Sequence, residues 1–352
     1  MDTDGLTANL APPRRRFAKL RRLAWLLAWC CLGPATVWAV AALYFDVRAP
    51  WLRAPLAAIC GLGLLAVWVW GRRPWKLIVT ATTFVLVLAW WLSLRPSNDR
   101  EWLPDLAVLP WAEISGHRAT LHNIRNCVYR TETDFDVRHD DKCFELDQLR
   151  SLDLFLVYWG SPWIAHTMAS FGFADGDYVC FSIETRKEKG EDYSAVKGLF
   201  RQFELTYVVA DERDVVRLRT NYRQGEEVYL YRLTTSPEQI RVRFLDYARR
   251  LNELRARAEW YHALTANCAT SIRVQHDAAQ RAPWDWRMLA NGKADELLFE
   301  RGVLDRSLPF AELKQRSLIN ERGRAAGEAA DFSARIRAGL PGIGSPTAGG
   351  AR

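Results

Sequence analysis

The sequence predicts an α+β domain that follows an N-terminal membrane segment of three helices. Its first hundred residues contain three long apolar stretches, and the rest of the 352 residues shows strand-type patterns followed by helix-type patterns. Residues 1–100 hold 13 Lys and Arg against 4 Asp and Glu, whereas residues 101–352 carry a net charge of −2. Because the larger part lacks the basic surface that phosphates require, the sequence argues against nucleic acid as a partner and favours a membrane protein.

Each apolar stretch is predicted to cross the membrane as a helix. Residues 23–45 form an uncharged run of 23 residues, long enough for a hydrocarbon core of roughly 30 Å. Residues 77–94 form another run, while residues 55–70 are short unless Trp51 and Leu52 join them. A cleaved secretory signal peptide is rejected because the first stretch is too long and two more follow it.

Basic residues set the predicted orientation of these spans. They cluster before the first span and between the second and the third. The two clusters are Arg14, Arg15, Arg16, Lys19, Arg21 and Arg22, and Arg72, Arg73 and Lys76. Positive residues stay on the cytoplasmic side, so residues 1–22 are expected in the cytoplasm, residues 23–94 in the membrane, and the large C-terminal part on the opposite, outer side.

The outer part is predicted to begin with a connector, residues 95–116, whose three prolines and two tryptophans favour a segment lying along the membrane surface. A folded domain is predicted over residues 117–338, and the Gly-, Pro- and Ser-rich residues 339–352 are expected to be a disordered tail. Apolar and β-branched runs predict strands over residues 119–129, 152–159, 167–173, 178–184, 199–209 and 227–233. Helices are predicted over residues 236–258, from residue 268, over residues 294–301 and within residues 310–338.

Four of the seven cysteines lie outside the predicted spans. Cys127 and Cys143 bracket a polar excursion and are candidates for a disulfide in an oxidising compartment, although spacing alone leaves the pairing open. Cys180 lies in an apolar strand and is interpreted as a packing residue. No His and Cys cluster has zinc-site spacing, and neither a metal nor a cofactor is expected.

Cys268 is the candidate nucleophile. It falls at a predicted helix start, directly after Asn267, which is a good N-cap residue. The unpaired amides and the macrodipole at such a position favour the thiolate, which is the reactive form of cysteine. The competing interpretation is a small buried residue that packs against a turn.

A thiol nucleophile needs a base, and His166 is the candidate because it opens a predicted strand. A structural histidine is the alternative interpretation. Glu184 and Arg186 end the neighbouring predicted strand on one face, where they can point into a site. Arg201 can bind a phosphate or a carboxylate, although pairing with a nearby glutamate is the simpler explanation.

Four sequence blocks together resemble the Lnb N-terminal periplasmic domain family. The blocks are His166-Thr-Met-Ala-Ser-Phe-Gly-Phe, Ser182-Ile-Glu-Thr-Arg with Gly190-Glu-Asp-Tyr, Gly198-Leu-Phe-Arg-Gln-Phe-Glu-Leu, and Tyr261 with Leu264-Thr-Ala-Asn-Cys-Ala-Thr. The resemblance covers roughly residues 118–280. It implies a permuted fold related to NlpC/P60 and papain-like thiol enzymes, in which the histidine precedes the cysteine.

The resemblance also implies roles for individual residues. Cys268 becomes the nucleophile, His166 the base and Glu184 a polar partner of that base. Asn267, Arg186, Arg201 and Tyr261 are then expected to support the substrate or the oxyanion. Family members are similar to bacterial enzymes implicated in lipoprotein N-acylation. The resemblance therefore implies that the spans lie in a bacterial inner membrane and that the large C-terminal domain lies in the periplasm.

These inferences lead to a functional expectation. The chain is expected to be a membrane-anchored cysteine acyltransferase that moves an acyl chain from phospholipid, through a Cys268 thioester, to the N-terminal amine of a lipoprotein. The first alternative is an NlpC/P60-like peptidase or amidase that acts on peptidoglycan peptides. The second is a membrane scaffold domain without catalysis.

Overall fold

A computed structural model of the chain describes residues 13–263, 285–288 and 291–343. The chain divides into two compact units, Met1–Arg95 and Pro96–Arg352. Among the described residues, the regular structure of the first unit is helical, whereas the second unit combines a large sheet with helices. The predicted α+β class with three apolar helices at the N-terminus is therefore confirmed.

The first unit consists of the helices α1 (Pro13–Asp46), α2 (Pro50–Trp70) and α3 (Arg73–Ser93). Each contains a stretch of 19 to 21 residues that is long and apolar enough to span a membrane. The second span is longer than predicted because α2 begins at Pro50, whose fixed φ suits the first turn of a helix. Trp51 and Leu52 thus belong to the helix, and the Arg53 side chain donates to the Val47 carbonyl in the preceding loop.

The second unit is built on one eight-stranded sheet. Its strands are β1 (Trp111–Ser115), β2 (Arg118–Arg125), β5 (His139–Glu145), β6 (Leu149–Trp159), β7 (Ala165–Phe173), β8 (Tyr178–Arg186), β9 (Glu204–Ala210) and β10 (Glu226–Arg232). They follow the order β1-β2-β9-β8-β7-β6-β10, with β5 also paired to β2. All neighbours are antiparallel except β2 and β9. The short strands β3 (Val128–Tyr129) and β4 (Phe135–Asp136) form a separate ribbon.

Six helices complete the described part of this unit. They are α4 (Glu212–Arg217), α5 (Pro237–Ala256), α6 (Ala294–Glu300), α7 (Phe310–Ser317), α8 (Asn320–Ala326) and α9 (Phe332–Arg337). A five-residue π-helical segment, Leu218–Tyr222, directly continues α4. Helix α5 forms where the 3.6-residue period predicted it, and Ser236 caps it by accepting a hydrogen bond from the Gln239 amide.

The central strands are buried along most of their length because both faces of the sheet are covered. Every residue of β7 is buried. Helix α5 covers one face, where Phe244 packs edge-on against Phe171 and Phe181. Helices α4, α8 and α9 contribute to a second apolar cluster that includes Phe155 and Met168. The continuous apolar runs therefore mark central strands rather than half-exposed ones.

A buried group of charges ties the end of the described chain to the sheet. The Arg337 guanidinium in α9 donates to Asp153 on β6 at 2.8 Å and to both Glu212 oxygens at 2.6 and 2.7 Å. Asp153 and Glu212 are fully buried, and Arg337 is 3 % exposed. Each charge is paired and hydrogen-bonded, which is what makes burial of three such groups tolerable.

The predicted connector contributes to the second unit. Trp102 is buried, and the Arg186 guanidinium lies 4.2 Å from the centre of its ring. The Leu103 amide donates to the Lys187 carbonyl, and Trp111 begins β1. Leu340, at the start of the predicted tail, is buried, while residues 344–352 lie outside the described residues.

The candidate disulfide between Cys127 and Cys143 is not formed. Cys143 is exposed on β5, in register with Thr120 of β2, whereas Cys127 is buried. The Cys127 amide donates to the Asp214 carboxylate at 2.8 Å. Burial, together with the nearby charge of Asp214, raises the pKa of the Cys127 thiol to about 12. The chain turns between β2 and β3 and carries Cys127 into the interior, away from the exposed Cys143.

Candidate active site

Two neighbouring strands bring His166 and Glu184 together. In the antiparallel pairing of β7 and β8, Met168 lies opposite Ser182, so a step of two residues places His166 opposite Glu184. Ser182 and Glu184 point to the same face because side chains alternate along a strand. His166 and Ser182 are buried, and Glu184 is half-buried. Strand register thus aligns three polar side chains on one wall.

The hydrogen bonds of these side chains assign the histidine tautomer. The Ser182 hydroxyl donates to Glu184 Oε1 at 2.6 Å, so its oxygen accepts from His166 Nε2, which lies 2.7 Å away. His166 Nε2 is also 3.1 Å from Glu184 Oε1. The proton of a neutral imidazole is therefore on Nε2, and Nδ1 is the nitrogen that can accept a proton from another group.

Charges around Glu184 keep its carboxylate ionised. Burial by itself would raise the pKa of Glu184, but the charge and hydrogen bond of His166 and the charge of Arg219 outweigh it and hold the pKa well below its usual range. The Arg219 guanidinium, in the π-helical segment, lies 3.2 Å from Glu184 Oε1. A carboxylate that is charged at neutral pH can orient the imidazole and stabilise its protonated form.

These groups line a cavity of about 550 Å³. Its polar side includes His166, Glu184, Arg219 and Glu226, and Arg219 and Glu226 form an ion pair at 3.3 Å. Its apolar side is larger. That side includes Trp159, Ile164, Ile183, Val196, Leu199 and Tyr261. A largely apolar pocket with a few convergent polar groups is the usual form of a small-molecule or lipid site.

Part of the chain matches a known protein family. Residues 136–292 match the Lnb N-terminal periplasmic domain family. The match confirms the resemblance predicted from the four sequence blocks. Together with the three helices that are long and apolar enough to span a membrane, it fits a membrane protein with a periplasmic domain. No curated protein and no solved structure was found to match the chain.

Described residues on either side of the segment that carries the candidate nucleophile line the cavity. Tyr261, Ala263 and Asn291 all line it. The Tyr261 amide donates to the Phe203 carbonyl and the Ala263 amide to the Gly198 carbonyl, which fixes the chain as it reaches the cavity. Asn267 and Cys268, predicted as N-cap and nucleophile, lie outside the described residues.

Two predicted arginines are not among the described residues that line the cavity. The Arg186 guanidinium donates to the carbonyls of Leu106 and Ala107, so it binds the predicted connector to strand β8. Burial lowers its pKa to about 10, against the opposite effect of Glu204. Arg201 lies in the turn before β9. Within the described residues, the structure therefore brings together His166, Glu184 and Tyr261.

Sequence reasoning missed the charged groups behind Glu184. The sequence could have indicated Ser182, because it lies two residues before Glu184 on a predicted strand and therefore points to the same face of the sheet. No sequence pattern indicated Arg219 and Glu226, because their closeness to Glu184 depends on the fold and not on their spacing along the chain. Among the described residues, no group of three or more His, Cys, Asp or Glu side chains could hold a metal ion.

Proposed function

We propose that the chain is a periplasmic thiol acyltransferase anchored in the bacterial inner membrane, with phospholipid as acyl donor and a lipoprotein amine as acceptor. The observation that carries the proposal is the His166–Ser182–Glu184 arrangement on the wall of a mainly apolar cavity. Nδ1 of His166 is the basic nitrogen when the imidazole is neutral. The thiol must come within hydrogen-bond distance of this atom to transfer its proton.

Chain length supports Cys268 as that thiol. Cys268 follows Ala263 by five residues, and Ala263 lines the cavity. Five residues span at most about 18 Å, which keeps Cys268 within reach of the cavity. In the proposed chemistry His166 Nδ1 takes the thiol proton, and the sulfur attacks the ester carbonyl of the donor lipid.

The two half-reactions balance as follows. The tetrahedral adduct collapses to a Cys268 thioester, and the lysophospholipid leaves as an alcohol after taking the proton from His166. The amine of the acceptor then attacks the thioester carbon, an amide forms, and the amine proton returns through His166 to the departing thiolate. Glu184 keeps its negative charge throughout and stabilises the transient imidazolium.

A cysteine amidase acting on peptidoglycan peptides is the second candidate. The observation that favours it is the charged side of the cavity, where Arg219, Arg223 and Glu226 lie together. Charged termini of a peptide would bind to such groups. The apolar lining is the larger part of the cavity and favours the acyl chain.

The test is the intact mass of the full-length protein in detergent after incubation with phospholipid. We expect an acyl-sized adduct, labile to hydroxylamine, on the wild type and on Cys143→Ala, which removes an exposed thiol, but not on Cys268→Ala. His166→Ala should slow adduct formation on the order of 10²- to 10⁴-fold, the usual contribution of a general base.

Two other outcomes would reassign the function. If no adduct forms although Cys268 reacts readily with a thiol probe, the amidase replaces the acyltransferase. If no adduct forms and Cys268 is inert, the domain is a scaffold.

A further inference from the structure

Exposed apolar side chains of the second unit are concentrated at the mouth of the cavity. Eleven large apolar side chains are exposed on the described part of this unit. Six of them form what we call the apolar rim: Trp159, Trp163, Ile164, Tyr193, Val196 and Leu199. Five of these six line the cavity, and Trp163 directly precedes Ile164.

The apolar rim is built from two loops. Trp159 ends β6, and Trp163 and Ile164 lie in the connection to β7, while Tyr193, Val196 and Leu199 belong to the segment between β8 and β9. Trp163 is 52 % exposed and Val196 53 %. Trp286, also 52 % exposed, lies with its ring centre 6.2 Å from that of Trp163. Soluble proteins rarely expose so many large apolar side chains in one place unless the surface binds something.

The backbone holds the first of these loops in place. The Gly292 amide donates to the Trp163 carbonyl, and the Asn291 side chain accepts from the Ala165 amide at 3.0 Å. A Cβ atom on Gly292 would lie 2.5 Å from the Trp163 carbonyl carbon, so the two segments touch. The exposed position of Trp163 therefore results from a fixed loop.

We infer that the apolar rim docks on the lipid bilayer and that the mouth of the cavity opens onto the membrane surface. The same chain carries three helices long and apolar enough to span a membrane, and α3 ends at Ser93, just before the second unit begins at Pro96. So short a tether keeps a bilayer permanently within reach of the domain.

The chemistry of the apolar rim fits this occupant. Tryptophan and tyrosine are the side chains that prefer the boundary between headgroups and acyl chains. Lys187 lines the cavity and makes no ion pair among the described residues. Lys293, which pairs with Glu296, lies 5.5 Å from the Trp163 ring. A cation such as that of Lys187 next to an apolar surface favours the phosphates of lipid headgroups.

Docking would give the cavity direct access to acyl chains. A chain that passes from the bilayer through the apolar rim stays in contact with apolar side chains and avoids water. The inference concerns where the domain sits and does not depend on the chemistry at Cys268.

Site-specific photocrosslinking in the full-length protein tests it. The photoreactive residue p-benzoylphenylalanine replaces Trp163 or Val196, and the protein is reconstituted in nanodiscs of phosphatidylethanolamine and phosphatidylglycerol. Matched controls carry it in place of Val242 on α5 or Ile114 on β1, which are 48 % and 45 % exposed on other elements. After illumination, peptide mass spectrometry detects lipid adducts at each position.

We expect lipid adducts at positions 163 and 196 and only background at positions 242 and 114. Equal adducts at all four positions, or none at any of them, would overturn the inference. Crosslinks between two copies of the chain at 163 and 196 would also overturn it and assign the apolar rim to a protein interface. The same pattern is expected in Cys268→Ala, so a failure of the proposed chemistry remains distinguishable from a failure of docking.

Discussion

At the scale of single residues, the site depends on a carboxylate that stays charged while half-buried. Glu184 accepts hydrogen bonds from Ser182 and Arg219 and lies beside His166. Its pKa in the folded protein is lower than the ordinary value of 4.5, so the folded state disfavours its protonation. The stability that it contributes is therefore complete above pH 4.5 and is lost as the pH falls toward the folded-state pKa.

Replacing the carboxylate should remove this pH dependence. In Glu184→Gln, loss of hydrogen bonds to a charged group costs about 1.5–3 kcal/mol, and each kcal/mol lowers the melting temperature by about 2–4 °C in a domain of this size. We expect the variant to melt at a lower temperature than the wild type at pH 7, with the difference shrinking below pH 4.5.

Thermal unfolding in detergent across this pH range measures the difference. Glu145→Gln is the matched control, because Glu145 pairs with Arg118 on the surface and both side chains are well exposed. Its melting temperature should follow that of the wild type. A difference for Glu184→Gln that does not change with pH would contradict the assigned charge state.

At the scale of elements, the loop that carries Trp163 is positioned by the absence of a side chain at Gly292. A Cβ atom there would approach the backbone of Pro162, Trp163 and Ile164 to 2.5–2.7 Å. We expect Gly292→Ala to displace this loop, to destabilise the protein by about 1–3 kcal/mol, and to lower adduct formation at the cavity.

Gly198→Ala is the graded control for that change. The added Cβ would lie 3.3 Å from the Tyr261 ring and 3.4 Å from the Ala263 side chain, which can move by a few tenths of an ångström. Melting temperatures of the two variants, measured side by side, should separate them clearly. An equal effect of both substitutions would show that the packing around Gly292 is not specific.

Elements with unambiguous patterns could be predicted closely from the sequence. Strands β6 to β8 and helix α5 lie within three residues of their predicted bounds, because long apolar runs and a clean 3.6-residue period leave little choice. Strands β1 and β5 were not predicted. The residues of β5 are mostly charged and exposed, so this strand is defined by its pairing to β2 and not by its own composition.

Helix α4 shows a different limit of sequence reasoning. Its residues Glu212 and Asp214 are fully buried, although such side chains normally indicate a surface. They are tolerated because Arg337 and Arg125 pair with them from distant parts of the chain. Arg219 lies in the π-helical segment that continues this helix, and from there it contacts Glu184. Because the position of the helix depends on long-range packing, the sequence alone could not indicate this part of the site.

At the scale of the whole molecule, the uneven distribution of charge along the chain predicts the membrane topology. The excess of positive charge lies before and between the apolar spans, while the large second unit is close to neutral. Three crossings with the basic residues in the cytoplasm predict that everything after Ser93 lies in the periplasm.

Reporter fusions test this arrangement. Alkaline phosphatase should be active when fused after Arg95 and inactive after Arg72, and green fluorescent protein should show the opposite pattern. Fusions after Arg48, in the first loop, should behave like those after Arg95. Active phosphatase after Arg72 would contradict three crossings.

The buried charges at Arg337 have a consequence for the order in which the domain can fold. Asp153 and Glu212 precede Arg337 by 184 and 125 residues. Asp153 also pairs with Arg232, which comes earlier in the chain, so Glu212 is the carboxylate that depends on Arg337 alone for a cation among the described residues. Burying Glu212 without that cation would cost several kcal/mol. Helix α4 therefore reaches its final packing only after nearly the whole domain has been synthesised.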